Sequence, residues 1–186
     1  MNKLILYVCA WICLHSCGFS KSQEESMLEY ALSQAGDNRK ELEYVIKYYE
    51  GDSLKREAAR FLIRNMVYHF GYEKRERVSD ITTLSSDYLI RNIELAFQAC
   101  PKPWNKSVSF ENFCRYILPY RGLYEPPSGL REELMRTYLP LLDSSHIDNT
   151  YDAAVRLQKI LRTRVTYQTE IPIHYPTAEE IHRTGV

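Results

Sequence analysis

Glycine and proline are scarce in this chain, at 7 and 8 of 186 residues. That scarcity excludes collagen-like and low-complexity structure and leaves the composition of one globular domain. An excess of charge is missing too, because 24 Lys and Arg are balanced by 24 Asp and Glu. Without a basic field the chain is not expected to bind nucleic acid or to rest on an anionic membrane by charge alone. The uncharged run LILYVCAWICL, Leu4 to Leu14, falls short of the roughly 20 residues a helix needs to span a bilayer.

That run does suit the apolar core of a secretory signal, following a weakly positive start at Asn2 and Lys3. LHSC comes next, with Leu14 three positions before Cys17 and small Ser16 directly before it. The pattern resembles a bacterial lipobox, and the alternatives are an ordinary signal peptide or an uncleaved hydrophobic anchor. The lipobox resemblance implies a signal peptide over 1–16, lipidation of Cys17 and a polar tether over 17–25. It also implies an exported lipoprotein, anchored to a membrane of the bacterial cell envelope, with the periplasmic or surface side left open.

Cysteine is sparse beyond this leader. Of 5 cysteines, Cys9, Cys13 and Cys17 belong to it, leaving Cys100 and Cys114. There is no CxxC and no Cys/His cluster with zinc spacing, so neither a metal nor another cofactor is expected. A disulfide between Cys100 and Cys114 is permitted in an exported protein, and two buried thiols are the simpler reading.

What the chain does have is helical periodicity. Leu42, Val45, Ile46 and Tyr49 recur at i, i+3, i+4 and i+7 ahead of Gly51. Asp52 or Ser53 is placed to cap the next helix, in which Ala59, Leu62, Ile63 and Met66 repeat the spacing. The mixed-sign run from Tyr68 to Thr83, with YEKRERVSD inside it, reads as a solvated loop. Leu89, Ile93, Ala96, Phe97 and Cys100 mark a third helix stopped by Pro101 and Pro103. Ser109 caps a fourth, carrying Phe110, Phe113, Cys114, Ile117 and Leu118. Ser128 and Gly129 open a fifth with Leu130, Leu134, Tyr138 and Leu141, which Pro140 should kink or end. A sixth runs from about Thr150 to Leu161 with Ala154, Leu157 and Leu161 inward. RVTYQTEI, Arg164 to Ile171, alternates like one strand, and Thr177 to Glu180 fits a capping box for a final short helix. The predicted fold is therefore mainly α: an irregular bundle of about six helices over 26–163, then a short strand and a last helix over 164–186.

Residues with chemistry to offer are few. His69, His146, His174 and His182 are scattered, and Cys100 and Cys114 have no adjacent base or glycine-rich approach to activate a thiolate. Among 15 tyrosines, Tyr68, Tyr72, Tyr116, Tyr120 and Tyr124 flank loops, although most tyrosines are expected to line a helical core. ILPYRGLYEPP, Ile117 to Pro127, is the most individual segment. Tyr120, Arg121 and Tyr124 make it a candidate interaction loop, with Arg121 expected to lock the loop or meet a carboxylate.

Three long segments, KELEYVIKYYEGDSLKREAARFLIRNMVYHFGY from Lys40, SFENFCRYILPYRGLYEP from Ser109 and PTAEEIHRTGV from Pro176, resemble the N-terminal part of bacterial transglutaminase-like lipoproteins. In that family a helical region precedes a papain-like α+β core, and a stretch like TAEEIHRTGV leads into a Gly-x-Cys element. The resemblance implies a thiolate that attacks an amide carbonyl, completed by His and Asp on later strands. No catalytic position of that triad matches a residue of this sequence, so no activity is expected from this chain alone. On this reading residues 164–186 begin a core whose Cys, His and Asp lie beyond Val186. The alternative is a self-contained helical lipoprotein that binds a glycan or protein partner through its tyrosine-rich loops.

Overall fold

The computed structural model describes residues 21–73, 76–122, 125–143, 146–166 and 176–185. The protein is mainly helical, as the periodicity predicts. Its described residues form two compact units, one of 21–69 with 79–86, the other of 70–78 with 87–185 apart from the undescribed gaps. The leader, including the candidate lipidation residue Cys17, lies outside the described residues.

In the first unit, α1 (residues 21–34) takes in 21–25, a stretch expected as polar tether. Its acidic residues find partners further along: Glu24 pairs with Arg64 at 3.5 Å, Glu25 with Arg60, and Glu29 with Arg39 at 3.1 Å. A tight 3-10 turn, Gly36–Asn38, leads into α2 (Arg39–Tyr48). Leu42, Val45 and Tyr49 are buried as their spacing requires. Asp52 then caps α3 (Ser53–Asn65), its carboxylate accepting the Lys55 amide at 3.1 Å, which satisfies one of the donors a helix start leaves open. Ala58, Ala59, Leu62 and Ile63 form the buried stripe of α3, with Met66 fully enclosed just beyond it.

The segment expected to be a loop is the first correction. Phe70–Glu73 (β1) and Glu76–Ser79 (β2) pair as a two-stranded hairpin, followed by one helical turn, α4 (Asp80–Thr83). Strand periodicity places Phe70 and Tyr72 on one face, where their rings meet edge to face at 5.7 Å and the Arg77 guanidinium lies 3.9 Å over Phe70. A mixed-sign run conceals this, because Arg77, although exposed, also covers an aromatic ring across the hairpin.

The 79–86 stretch of the first unit is held by side chains from near α2. Asn38 Nδ2 donates to the carbonyls of Ile81 and Leu84, each at 3.0 Å, and the Glu41 carboxylate accepts the Ser86 amide at 2.7 Å. The hydroxyl and then the amide of Ser86 hold the Glu41 carboxyl below its ordinary pKa. A carboxyl lowered on folding contributes stability above its ordinary pKa and loses it as pH falls through the lowered value. Urea-unfolding curves of the parent and Glu41→Gln should therefore separate at neutral pH and converge in acid. Parallel curves would remove Glu41 from this role.

In the second unit, α5 (Ser86–Ala99) buries Leu89, Asn92, Ile93, Leu95 and Ala96. Ser109 caps α6 (Phe110–Asn112) as predicted, accepting the Asn112 amide at 3.2 Å. The chain then widens into a π turn, Phe113–Ile117, closed by the Leu118 amide donating to the Phe113 carbonyl at 2.9 Å. This corrects the regular helix expected there. The wider turn keeps Phe113 and Cys114 buried, with the Phe113 ring 4.7 Å from that of Phe97, while Arg115 and Tyr116 face outward. Cys100 and Cys114 are not bridged; Cys114 is buried, as the simpler reading has it, while Cys100 is only half-buried.

α7 (Leu130–Asp143) does not end at Pro140. Proline strips the Arg136 carbonyl of its helical donor, but both residues are exposed and water can take that place. α8 (Thr150–Arg162) is capped by Asn149, which accepts the Asp152 amide at 2.9 Å. Its buried alanine is Ala153, with Ala154 exposed, one position from the expectation. The strand expected over Arg164–Ile171 falls mostly outside the described residues, and residues 164–166 follow α8 without forming one. The capping box is present as predicted at α9 (Ala178–Thr184): the Glu180 amide donates to Thr177 Oγ at 3.2 Å and the Thr177 amide to Glu180 Oε2 at 2.8 Å.

Candidate functional site

The individual character of Ile117–Pro127 has a structural cause. Past the π turn its carbonyls have no helical partners, and three side chains from helices take them up. Asn92, buried in α5, donates its Nδ2 to the Leu118 carbonyl at 2.9 Å. The Tyr88 hydroxyl lies 3.4 Å from the carbonyls of both Tyr120 and Ser128. Arg131, in the first turn of α7, donates Nη2 to the carbonyls of Leu118, at 3.4 Å, and Pro119. Within the loop, Arg121 Nη1 donates to the Glu125 carbonyl at 2.6 Å, which is the locking role expected of it. Strand β1 runs alongside, so that a Cβ placed on Gly71 would lie 3.5 Å from both Arg121 Nη1 and Pro126 Cα.

At Tyr120 the loop presents less aromatic surface than its sequence suggests. Tyr120 is only 8% exposed, and its ring meets Tyr88 edge to face at 5.9 Å. The ring is a wedge between loop and helix, and its remaining surface lines the cleft beside α7. Tyr124 lies outside the described residues. Tyr68, Tyr72 and Tyr116 are exposed, Tyr116 most of all at 78%.

Between this loop, α7 and the start of α9 opens a cleft of about 600 Å³, bounded by Tyr116, Pro119, Arg121, Leu134 and Met135. Ala178 closes one end, and its amide donates to Glu125 Oε1 at 2.9 Å, so the loop carboxylate serves the first residue of α9. A smaller cavity of about 320 Å³ lies on the other side of Arg131, edged by Tyr88, Arg91 and Glu132. There Arg91 Nε meets Glu132 Oε2 at 3.2 Å, and Arg91 holds the Glu132 carboxyl below its ordinary pKa.

Arg131 is the residue that sequence reasoning missed. It lines both cavities. Burial pulls the pKa of its guanidinium down, while nearby Tyr88 acts in the opposite direction. Its Nε is shut off from water without a hydrogen-bond partner. Nothing in REELMRTYLP distinguishes Arg131 from Arg136 as a sequence, since only the folded loop brings carbonyls to one and water to the other.

The remaining candidates stay apart. His69 and His146 are exposed, and His174 lies outside the described residues. His182 sits on α9 with its ring 5.6 Å from that of Tyr138 and Nδ1 3.4 Å from the tyrosine hydroxyl, while Arg164 lies 5.4 Å over the same ring. Among the described residues no group of three His, Cys, Asp or Glu is placed to hold a metal ion. Nor is any described helix long and apolar enough to cross a membrane. Burial raises the pKa of the Cys100 thiol, which is the opposite of what a nucleophile needs. No protein family, curated protein or solved structure matches the chain.

Proposed function

We propose that this chain is the non-catalytic helical domain of an exported, lipid-anchored transglutaminase-like protein, an irregular bundle whose last strand and helix lead into an α+β core acting on amide bonds. Anchoring would run through Cys17, and the domain would hold the core off the membrane. The observation that carries the reading is the way α9 is built. Seven residues rarely stay helical alone, yet this helix has a capping box at its start, a left-handed Gly185 at its end (φ 77°) and two outside ties. Glu125 accepts the Ala178 amide, and the Gly185 carbonyl accepts the Thr166 amide at 2.8 Å. A helix fixed at both ends is suited to aim the segment that follows it, which is what a lead-in to a catalytic cysteine requires.

Reading the coding sequence beyond Val186 tests this directly. The expected result is a Gly-x-Cys element soon after Val186, with His and Asp further on. An in-frame stop, with no such continuation in any frame, would leave the second reading, that of a self-contained helical lipoprotein with a protein or glycan partner. The 600 Å³ cleft beside Arg121 and Arg131 is the observation that favours it.

A further inference from the structure

We propose that the cleft between residues 116–122 and 125–128 on one side and α7 on the other is a docking site for a peptide segment carrying a carboxylate between apolar side chains, with Arg131 as the residue that reads the carboxylate. The assignment holds whether or not a catalytic core follows this domain.

The charge is the first part of the argument. Arg39, Arg60, Arg64, Arg91 and Arg115 each form an ion pair with a glutamate. Arg131, lodged between two cavities, forms none with any described residue. Its recorded partners are neutral carbonyls, which accept hydrogen bonds but do not balance a charge. Arg121 adds a second guanidinium on the same wall, and Glu125 is the acid that faces them. Two arginines against one glutamate leave the described lining net positive, and Glu125 spends one oxygen on the Ala178 amide. A partly buried guanidinium pairs more strongly with a carboxylate than a surface one, because less water screens the contact. The recorded hydrogen bonds of Arg131 use Nη2 and its Nε is enclosed, so Nη1 is the nitrogen left to meet a carboxylate oxygen.

The walls supply the second part. Ile117, Pro119, Leu130, Leu134 and Met135 line the cleft, offering aliphatic and thioether surface that adapts to apolar side chains. A sugar wants exposed aromatic faces to stack on, and the described residues of the loop offer few. Tyr120 is turned inward against Tyr88, leaving Tyr116 as the exposed ring at the described rim. The volume, about 600 Å³, lies in the range of ligand clefts and accommodates a few residues of extended chain. The smaller cavity has about 320 Å³, and its second arginine, Arg91, is already paired with Glu132.

The test uses the whole chain and two fluorescein-labelled peptides, blocked at both ends. Each has a central acid or its amide, glutamate in one and glutamine in the other, flanked by leucine and phenylalanine. Anisotropy titrations should show the glutamate peptide binding about tenfold more tightly, as expected for a hydrogen bond to a charged partner. Amide resonances of Leu134 and Met135 should move on binding. Arg131→Met should remove the preference for glutamate. Because Arg131 also holds the loop carbonyls, Met135→Glu serves as a second variant that leaves those bonds in place; its added negative charge on the wall should weaken the glutamate peptide by tenfold or more. Equal binding of the two peptides overturns the proposal, as does a preference that survives both variants. Absence of response to either peptide at millimolar concentration overturns it too, and so does a uronic-acid oligosaccharide occupying the cleft in their place.

Discussion

Ile93→Ala should lower the stability of the protein by about 2–5 kcal/mol, the largest effect expected from a single substitution. Ile93 is fully buried on α5, within the stripe that also encloses Leu89 and Ala96. Truncation removes methyl and methylene groups from water-free contacts and leaves a hole that rigid neighbours fill only in part. Next to it in sequence, Asn92 holds the Leu118 carbonyl at the base of the loop, so a shift of α5 reaches the cleft as well as the core. Urea unfolding followed by circular dichroism should show the midpoint fall, while Gln98→Ala, on the exposed face of the same helix, changes stability by less than about 0.5 kcal/mol. Equal shifts in the two variants would mean that Ile93 is not a core residue.

The second large effect is expected at Gly185. Its φ of 77° lies in the left-handed region, and a Cβ added there would stand 2.7 Å from the Arg164 carbonyl oxygen. Alanine in that conformation costs about 1–2 kcal/mol from backbone sterics alone, and the contact adds to it because a carbonyl cannot swing aside as a flexible side chain can. The end of α9 should therefore come loose while the rest of the protein stays folded. Amide exchange at Thr166 and at residue 185, whose amide donates to the Ile181 carbonyl, should accelerate by roughly 5–30-fold in Gly185→Ala. Arg183→Ala, exposed on the same helix, should leave those rates alone. Unchanged protection in Gly185→Ala would show that the tie between Gly185 and Thr166 is dispensable.

The features legible in the sequence are those that are decided locally. Asp52, Ser109 and the Thr177 to Glu180 box cap helices within three residues of themselves, so their pattern is visible without a fold. The buried stripes of α2 and α3 follow from spacing for the same reason. Other features depend on distant partners. The Phe70 and Arg77 pair, which makes a hairpin out of a charged run, exists only across two strands. Tyr120 looks like a surface anchor until Tyr88, on another helix, turns it inward. The π turn needs one more residue per turn than any periodicity rule assumes. Arg131 takes its character from two loop carbonyls that precede it by about a dozen residues, and no rule of composition points to it.

The bond from the Ala178 amide to Glu125 joins a loop to a helix 53 residues further along the chain. Its consequence is thermodynamic reciprocity. Whatever draws the Glu125 carboxylate away from Ala178 weakens α9 at its first residue, and whatever tightens α9 fixes the carboxylate in place, by the same free energy in each direction. An occupant of the cleft that favours one position of Glu125 would therefore be felt at the far side of α9 as a change in how firmly that helix is held, with no need for the rest of the molecule to move.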